Sequence, residues 1–329
     1  MDPLPPLPPL PPPAPPAPPR KSGLAFFGVL LALIVPGMLA QALQLASGLL
    51  WTQLFAFLLP ALLVAAGSNL RPAGFLRLRP VTPGLLFLGA LSGLAGYVAA
   101  VGVMGLAREV MPAAWLRTFD VGHVFDGAPV ARVAVAVIAA LIAPVCEEIA
   151  FRGYLQTAFG THLRPALAIA GSTLLFSIIH LDPVRLPSLL VLGAVFGWLT
   201  WRAGSVWPAV AAHFANNAIV SGLVLAGMAA PDDAADLPEV AVRVRAAAFA
   251  LALGVALLWA LLRAFDAAAR ALPPAPDPLA PRDPAVPSLR FTARHVPFAL
   301  RAAAFAGAWL LLALALAAVL GWLPERPRP

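Results

Sequence analysis

Apolar residues run along this chain in long blocks, broken by short joints marked with glycine, proline or charge. The blocks fall at about 24–44, 48–67, 84–107, 130–157, 164–181, 187–202, 205–228, 244–264 and 299–323. An α-helix rises 1.5 Å per residue, so roughly 20 apolar residues cross the ~30 Å hydrocarbon core of a bilayer. The pattern predicts an all-α, polytopic integral membrane protein with about eight or nine transmembrane helices. Only Arg202-Ala203-Gly204 separates two of the blocks, which are therefore expected to form a tight antiparallel pair. Pro36, Pro60, Pro144 and Pro208 lie inside apolar blocks, where membrane helices tolerate them.

The joints set the expected organisation. Residues 1–21 form a Pro-rich tail that cannot build a helix or a core and predicts an extended polyproline-type segment. Arg20-Lys21 ahead of an apolar run resembles the start of a signal peptide. The run is too long for one, and no small-residue cleavage site closes it, so it reads as a retained helix. Residues 22–129 then hold N-terminal transmembrane helices, 130–228 a core, and 229–264 a further helix. A Pro- and Arg-rich linker follows at 265–298, before a C-terminal helix within 299–329.

Composition agrees with the pattern. The chain is 61% hydrophobic and 11% charged, whereas soluble domains carry roughly a quarter charged residues. The formal charge of +7 comes almost wholly from arginine, with Lys21 the only lysine. In a membrane protein such an excess orients loops and meets anionic lipid, and it is not read as nucleic-acid binding. The single cysteine, Cys146, excludes an internal disulfide framework and a cysteine-rich zinc site. It reads as a small buried apolar residue. Alternating the loops puts Arg20, Lys21, Arg71, Arg77, Arg79, Arg164, Arg202 and the linker arginines on one side. Arg108, Arg117, Arg185, Arg243 and Arg245 fall on the other, with the acidic Asp232-Asp233 loop. The bias predicts a cytoplasmic N-terminus, the expected setting being a bacterial plasma membrane.

The chemistry is concentrated where the pattern is violated. Glu147, Glu148 and Arg152 interrupt the block at 130–157, where an uncompensated carboxylate is costly. Glu148 and Arg152 are four apart with the acid first, the favoured direction for an ion pair on a helix. Their expected role is structural. Glu147 points about 100° away and has no partner on its own helix. Three more polar side chains sit in other blocks: His180 ends Phe176-Ser177-Ile178-Ile179-His180, while His213 and Asn217 are four apart and share a helix face. His123, His162 and His295 read as ordinary solvated residues.

A carboxylate, two imidazoles and an amide are enough to activate water and hold a carbonyl. Glu147 would take the proton, His180 would help hold the water, and His213 and Asn217 would donate to a developing oxyanion. Glu147, His180 and His213 are also the set that would ligate zinc. Two plainer readings stand beside this one: His180 as a helix-end residue facing water, and His213 with Asn217 as interhelical hydrogen-bonding glue. The block boundaries place His180 and His213 towards opposite faces, so convergence requires tilted helices or shifted boundaries.

The order Glu147-Glu148 with Arg152, Phe176 with His180, and His213 with Asn217 resembles the CPBP family of intramembrane proteases. These are CAAX prenyl endopeptidases and their bacteriocin-processing or immunity relatives, also called the abortive-infection domain. The resemblance covers roughly 130–228. It implies a helical membrane fold, endopeptidase (by the usual name metalloendopeptidase) activity, catalytic roles for Glu147, His180, His213 and Asn217, and a supporting role for Phe176. The implied partner is a membrane-associated protein or peptide, with the bilayer around it. No cofactor is favoured and zinc stays open; candidates to accept from the histidines' second nitrogens look scarce, which tips the reading narrowly towards a metal-free glutamate mechanism. The rival functions are a non-enzymatic immunity or sorting factor on the same scaffold, and a proton-coupled carrier. A carrier should show paired halves with broken helices, and no such symmetry is visible.

Overall fold

The structure is a computed structural model that describes residues 22–68, 70–119, 128–227 and 239–281. The Pro-rich tail, His123, His295, the linker beyond position 281 and the stretch at 299–323 lie outside the described residues. The described chain is helical: α1 (Ser22–Leu43), α2 (Leu45–Gly67), α3 (Pro83–Arg108), α4 (Pro129–Gly160), α5 (Pro165–Ile178), α6 (Leu186–Ala203), α7 (Trp207–Leu225) and α8 (Val240–Arg270). Seven of these eight are long and apolar enough to cross a membrane; α5 is shorter. The protein is a polytopic all-α membrane protein.

Proline opens three of these eight helices. Pro83, Pro129 and Pro165 occupy the first helical position, where a missing N–H leaves nothing unsatisfied. Between α6 and α7 the chain turns through Gly204, whose φ of 61° is left-handed and suits glycine. The helices then pack through small residues. Gly89 and Gly93 of α3 lie directly against the backbone of Pro208 and Ala212 in α7. Gly102 of α3 lies against Ala247 and Leu251 of α8, and Gly254 of α8 against Ala99. Close backbone approach of this kind is how membrane helices associate, since apolar burial alone cannot drive them together in lipid.

Two apolar clusters result. One joins α1, α2, α4 and α5 through Phe26, Leu30, Phe57, Phe151, Tyr154 and Phe176. The other joins α3, α6, α7 and α8 through Leu85, Ala99, Leu192, Phe196, Ala212 and Phe265.

The ends of the bundle are tied by polar contacts. At one end Arg77 Nε donates to Thr157 Oγ1 of α4 at 2.8 Å, and Val206 N donates to the Arg77 carbonyl at 3.0 Å. Arg79 donates to the Ala203 carbonyl at the end of α6 and to the Pro273 carbonyl beyond α8. At the other end Arg243 of α8 pairs with Glu109, just after α3, at 2.7 and 2.9 Å. That hydrogen bond holds the Glu109 carboxyl below the usual carboxylate range.

These ties resolve the depth problem posed by the sequence. Thr157 and Ala203 touch the same loop, so α5 and α6 leave one end of the bundle and return to it. The 14 residues of α5 span about 21 Å, short of the ~30 Å core. The turn that follows, with His180, therefore stops inside the bilayer depth. The apolar block at 164–181 had counted this turn as part of a crossing.

The end of α8 also differs from expectation. Its helix continues past 264 to Arg270, because Asp266 pairs with Arg202 of α6 and with Arg270 one turn on. Phe265 beside it is fully buried. The helix ends where its packing ends, and not where the apolar block does.

Candidate active site

Glu147, Glu148 and Arg152 sit where α4 changes its hydrogen-bond register. An ordinary α-helical turn at Ala143–Glu148 lies between two π segments, Ile138–Ile142 and Ile149–Leu155. Such segments re-phase the side chains that follow them and recur at functional sites. Pro144 contributes to the same irregularity. In the wide register the Ala143 N–H bonds the Ile138 carbonyl, so the next donor would serve Ala139, but Pro144 has none. Asn217 of α7 supplies it: its Nδ2 donates to the Ala139 carbonyl at 2.8 Å. Its Oδ1 accepts from Asn216 Nδ2 at 2.9 Å, and one N–H of Asn217 has no partner among the described residues.

The two glutamates have separate surroundings. Glu148 is fully buried; its Oε1 accepts from Arg152 Nη1 and from His213 Nδ1, both at 2.9 Å. Arg152 Nη2 donates to the Gly193 carbonyl of α6 at 3.1 Å, and its guanidinium lies 4.4 Å above the Phe176 ring. The expected ion pair is therefore present, and it also anchors α6 and α7. Glu147 is 7% exposed. Its Oε1 accepts from Gln53 Nε2 of α2 at 2.8 Å, and its Oε2 lies 3.9 Å from His213 Nε2.

The hydrogen bonds fix the histidine tautomers. An ionised carboxylate only accepts, so His213 Nδ1 carries the proton shared with Glu148; in the neutral imidazole Nε2 then presents its lone pair towards Glu147. His180 Nδ1 lies 2.8 Å from the Phe176 carbonyl and is the donor there by the same argument. No hydrogen bond engages its Nε2 among the described residues. The turn holding His180 is locked by Asp182, whose Oδ1 accepts from the Val184 and Arg185 backbone at 2.9 Å each. Asp182 is itself buried, so the turn folds inward, and His180 is only half-buried within it. Phe176 touches both imidazoles edge-on, at 4.9 Å for His180 and 6.0 Å for His213, while Phe196 stacks on His213 at 4.9 Å. Since Phe176 and Phe196 belong to different apolar clusters, the polar residues occupy the seam between them.

The structure thus brings Glu147, Glu148, Arg152, Phe176, His180 and His213 around one centre, with Asn217 one turn beyond His213. His162 lies away from it, in the turn after α4. A small cavity lined by Arg77, Arg79, Gly204 and Ala275 belongs to the end of the bundle at Thr157, roughly 15 Å along α4 from Glu147. Sequence reading missed Gln53. The available signal was a glutamine in the middle of the apolar block at 48–67.

Among the described residues no group of three or more His, Cys, Asp or Glu side chains is arranged to hold an ion. Two ligands of one tetrahedral zinc lie about 3.3 Å apart, closer than the 3.9 Å between Glu147 Oε2 and His213 Nε2. Acceptors for the histidines' second nitrogens, expected to be scarce, are present. Glu148 serves His213 as well as Arg152, and a backbone carbonyl serves His180.

Residues 129–219 match the family described as Type II CAAX prenyl endopeptidase Rce1-like. This segment is similar to that family. The match starts at the first turn of α4 and ends in α7, so it contains every residue of the three motifs and bears out the resemblance drawn from them. Gln53 lies outside it. No curated protein and no solved structure matches the chain.

Proposed function

We propose that the protein is an intramembrane endopeptidase that hydrolyses peptide bonds of membrane-associated substrates, CAAX-type prenylated proteins among them, by glutamate-activated water. The observation that carries this reading is the 3.9 Å gap between Glu147 Oε2 and His213 Nε2. With the imidazole neutral, both atoms are acceptors. A water with about 2.8 Å hydrogen bonds to each fits between them at an angle of roughly 90°.

The steps follow from the side chains. Glu147 Oε2 takes a proton from this water while its oxygen bonds to the scissile carbonyl carbon. His213 Nε2 accepts a hydrogen bond from the water's other O–H and so orients it. The carbonyl oxygen becomes an oxyanion, stabilised by the remaining Asn217 N–H. The C–N bond then breaks, and the proton held by Glu147 passes to the leaving amine. Glu148 and Arg152 keep His213 in the required tautomer. No step is routed through a metal.

The test is a substrate trap. Glu147→Gln keeps size and hydrogen bonding but removes the base, which costs about 10²–10⁴-fold in rate without affecting membrane insertion. Membranes of cells carrying the variant should accumulate uncleaved proteins whose termini, mapped by peptide sequencing, are trimmed in cells carrying the wild type. Identical termini in both would overturn the reading.

A further inference from the structure

The site described above draws one side chain from outside the matched segment. Gln53 lies in the π segment of α2, Thr52–Leu58, and is 3% exposed. Its Nε2 donates to Glu147 Oε1 at 2.8 Å across 94 positions of chain, while its Oε1 is buried without a hydrogen-bond partner. A buried amide satisfied at one end only is a poor device for stability. It is useful where the remaining bond sets the orientation of its partner.

The local structure is arranged to place it. Thr52, the preceding residue, donates to the Gly48 carbonyl and accepts from Gln41 Nε2 of α1, both at 2.9 Å. Gly37 of α1 lies directly against Thr52, and Gly48 directly against the α1 backbone at Ala40 and Gln41. The α1–α2 hairpin is thus fixed at the residue before Gln53, and the wide turn that starts there sends the amide across to α4. The other ionisable groups around Glu147 come from its own helix (Cys146, Glu148, Arg152), from α7 (His213) and from the turn after α5 (His180). None of them forms a hydrogen bond to Glu147 Oε1. Without Gln53 the carboxylate is free to rotate its reactive oxygen away from His213.

We infer that Gln53 is a positioning residue for peptide hydrolysis: it occupies one oxygen of Glu147 so that the other faces His213 and the attacking water. The N-terminal helical hairpin is on this account part of the catalytic machinery. The inference rests on the reading of Glu147 as the base.

The test uses purified full-length protein in lipid nanodiscs and an internally quenched, farnesylated peptide ending in a CAAX tetrapeptide. Gln53→Met conserves volume and removes both polar atoms. It should lower kcat about 10–100-fold, leave KM within about twofold, and melt at or above the wild-type temperature, because an unsatisfied amide oxygen is gone. Gln53→Asn keeps the amide but falls one methylene short of Glu147, so its kcat should fall with unchanged KM as well. Glu147→Gln is measured in parallel. Wild-type kcat in both Gln53 variants, with Glu147→Gln dead, overturns the positioning role alone. Lower melting temperature with unchanged specific activity assigns Gln53 to folding and overturns it too. A fully active Glu147→Gln overturns the reading on which it rests.

Discussion

At the residue scale the site depends on two adjacent carboxylates that do different work because their surroundings differ. Glu148 is held by two donors and fully buried; Glu147 has one oxygen held and the other facing an imidazole lone pair. Glu148→Gln should therefore act mainly on folding. It leaves Arg152 buried without its counter-charge and loosens His213, and breaking a buried pair in this way costs about 3–5 kcal/mol. The expected result is low abundance and a reduced melting temperature, with residual activity in the folded fraction. Normal abundance with no activity would move Glu148 into the reacting set. The metal question is also tested at this scale. Activity should survive exhaustive chelation, with well under one zinc per chain by elemental analysis. Loss of activity on chelation and its return with zinc would assign Glu147, His180 and His213 as ligands instead. The ion pair was legible in the sequence because four-residue spacing on a helix fixes which side chains meet. The Gln53 contact was not, since it joins positions 94 apart and no local pattern encodes it.

At the element scale the governing features are backbone ones. The wide register of α4 around Pro144 frees the Ala139 carbonyl and recruits Asn217, which ties α7 to α4 beside the glutamates. Close packing of α3 on α7 fixes the same helix from its other face. Gly93 lies against the Ala212 backbone, the residue before His213. Gly93→Val should push α7 outwards, lowering stability by about 1–3 kcal/mol as an overpacked contact does and reducing activity further than the stability loss explains. Melting temperature and kcat measured together check this; wild-type kcat in the folded variant would show that α7 is not positioned by α3. Helix existence was legible from apolar blocks. Register was not: proline and π turns shift it by single residues, which hydropathy averages over. The short α5 escaped for the same reason, since an apolar turn and an apolar helix read alike.

At the scale of the whole molecule, the N-terminal hairpin and the Rce1-like segment meet at one polar seam between two apolar clusters. Arg71, Arg77, Arg79 and the segment after α8 gather at one end, and Glu109 with Arg243 at the other. The arginine-rich end should face the cytoplasm. With Cys146 replaced by alanine, a cysteine at Ala275 should be shielded from a membrane-impermeant maleimide in intact cells, and one at Ala114 labelled; the opposite pattern would invert the orientation. The central claim is that Glu147 activates water without forming a bond to substrate. A single turnover of the farnesylated CAAX peptide in H₂¹⁸O tests this most directly, read by mass spectrometry of product and enzyme. The account predicts one ¹⁸O in the new carboxyl terminus and none in Glu147. Unlabelled product together with ¹⁸O in the Glu147 carboxylate would show direct attack by the glutamate and contradict it.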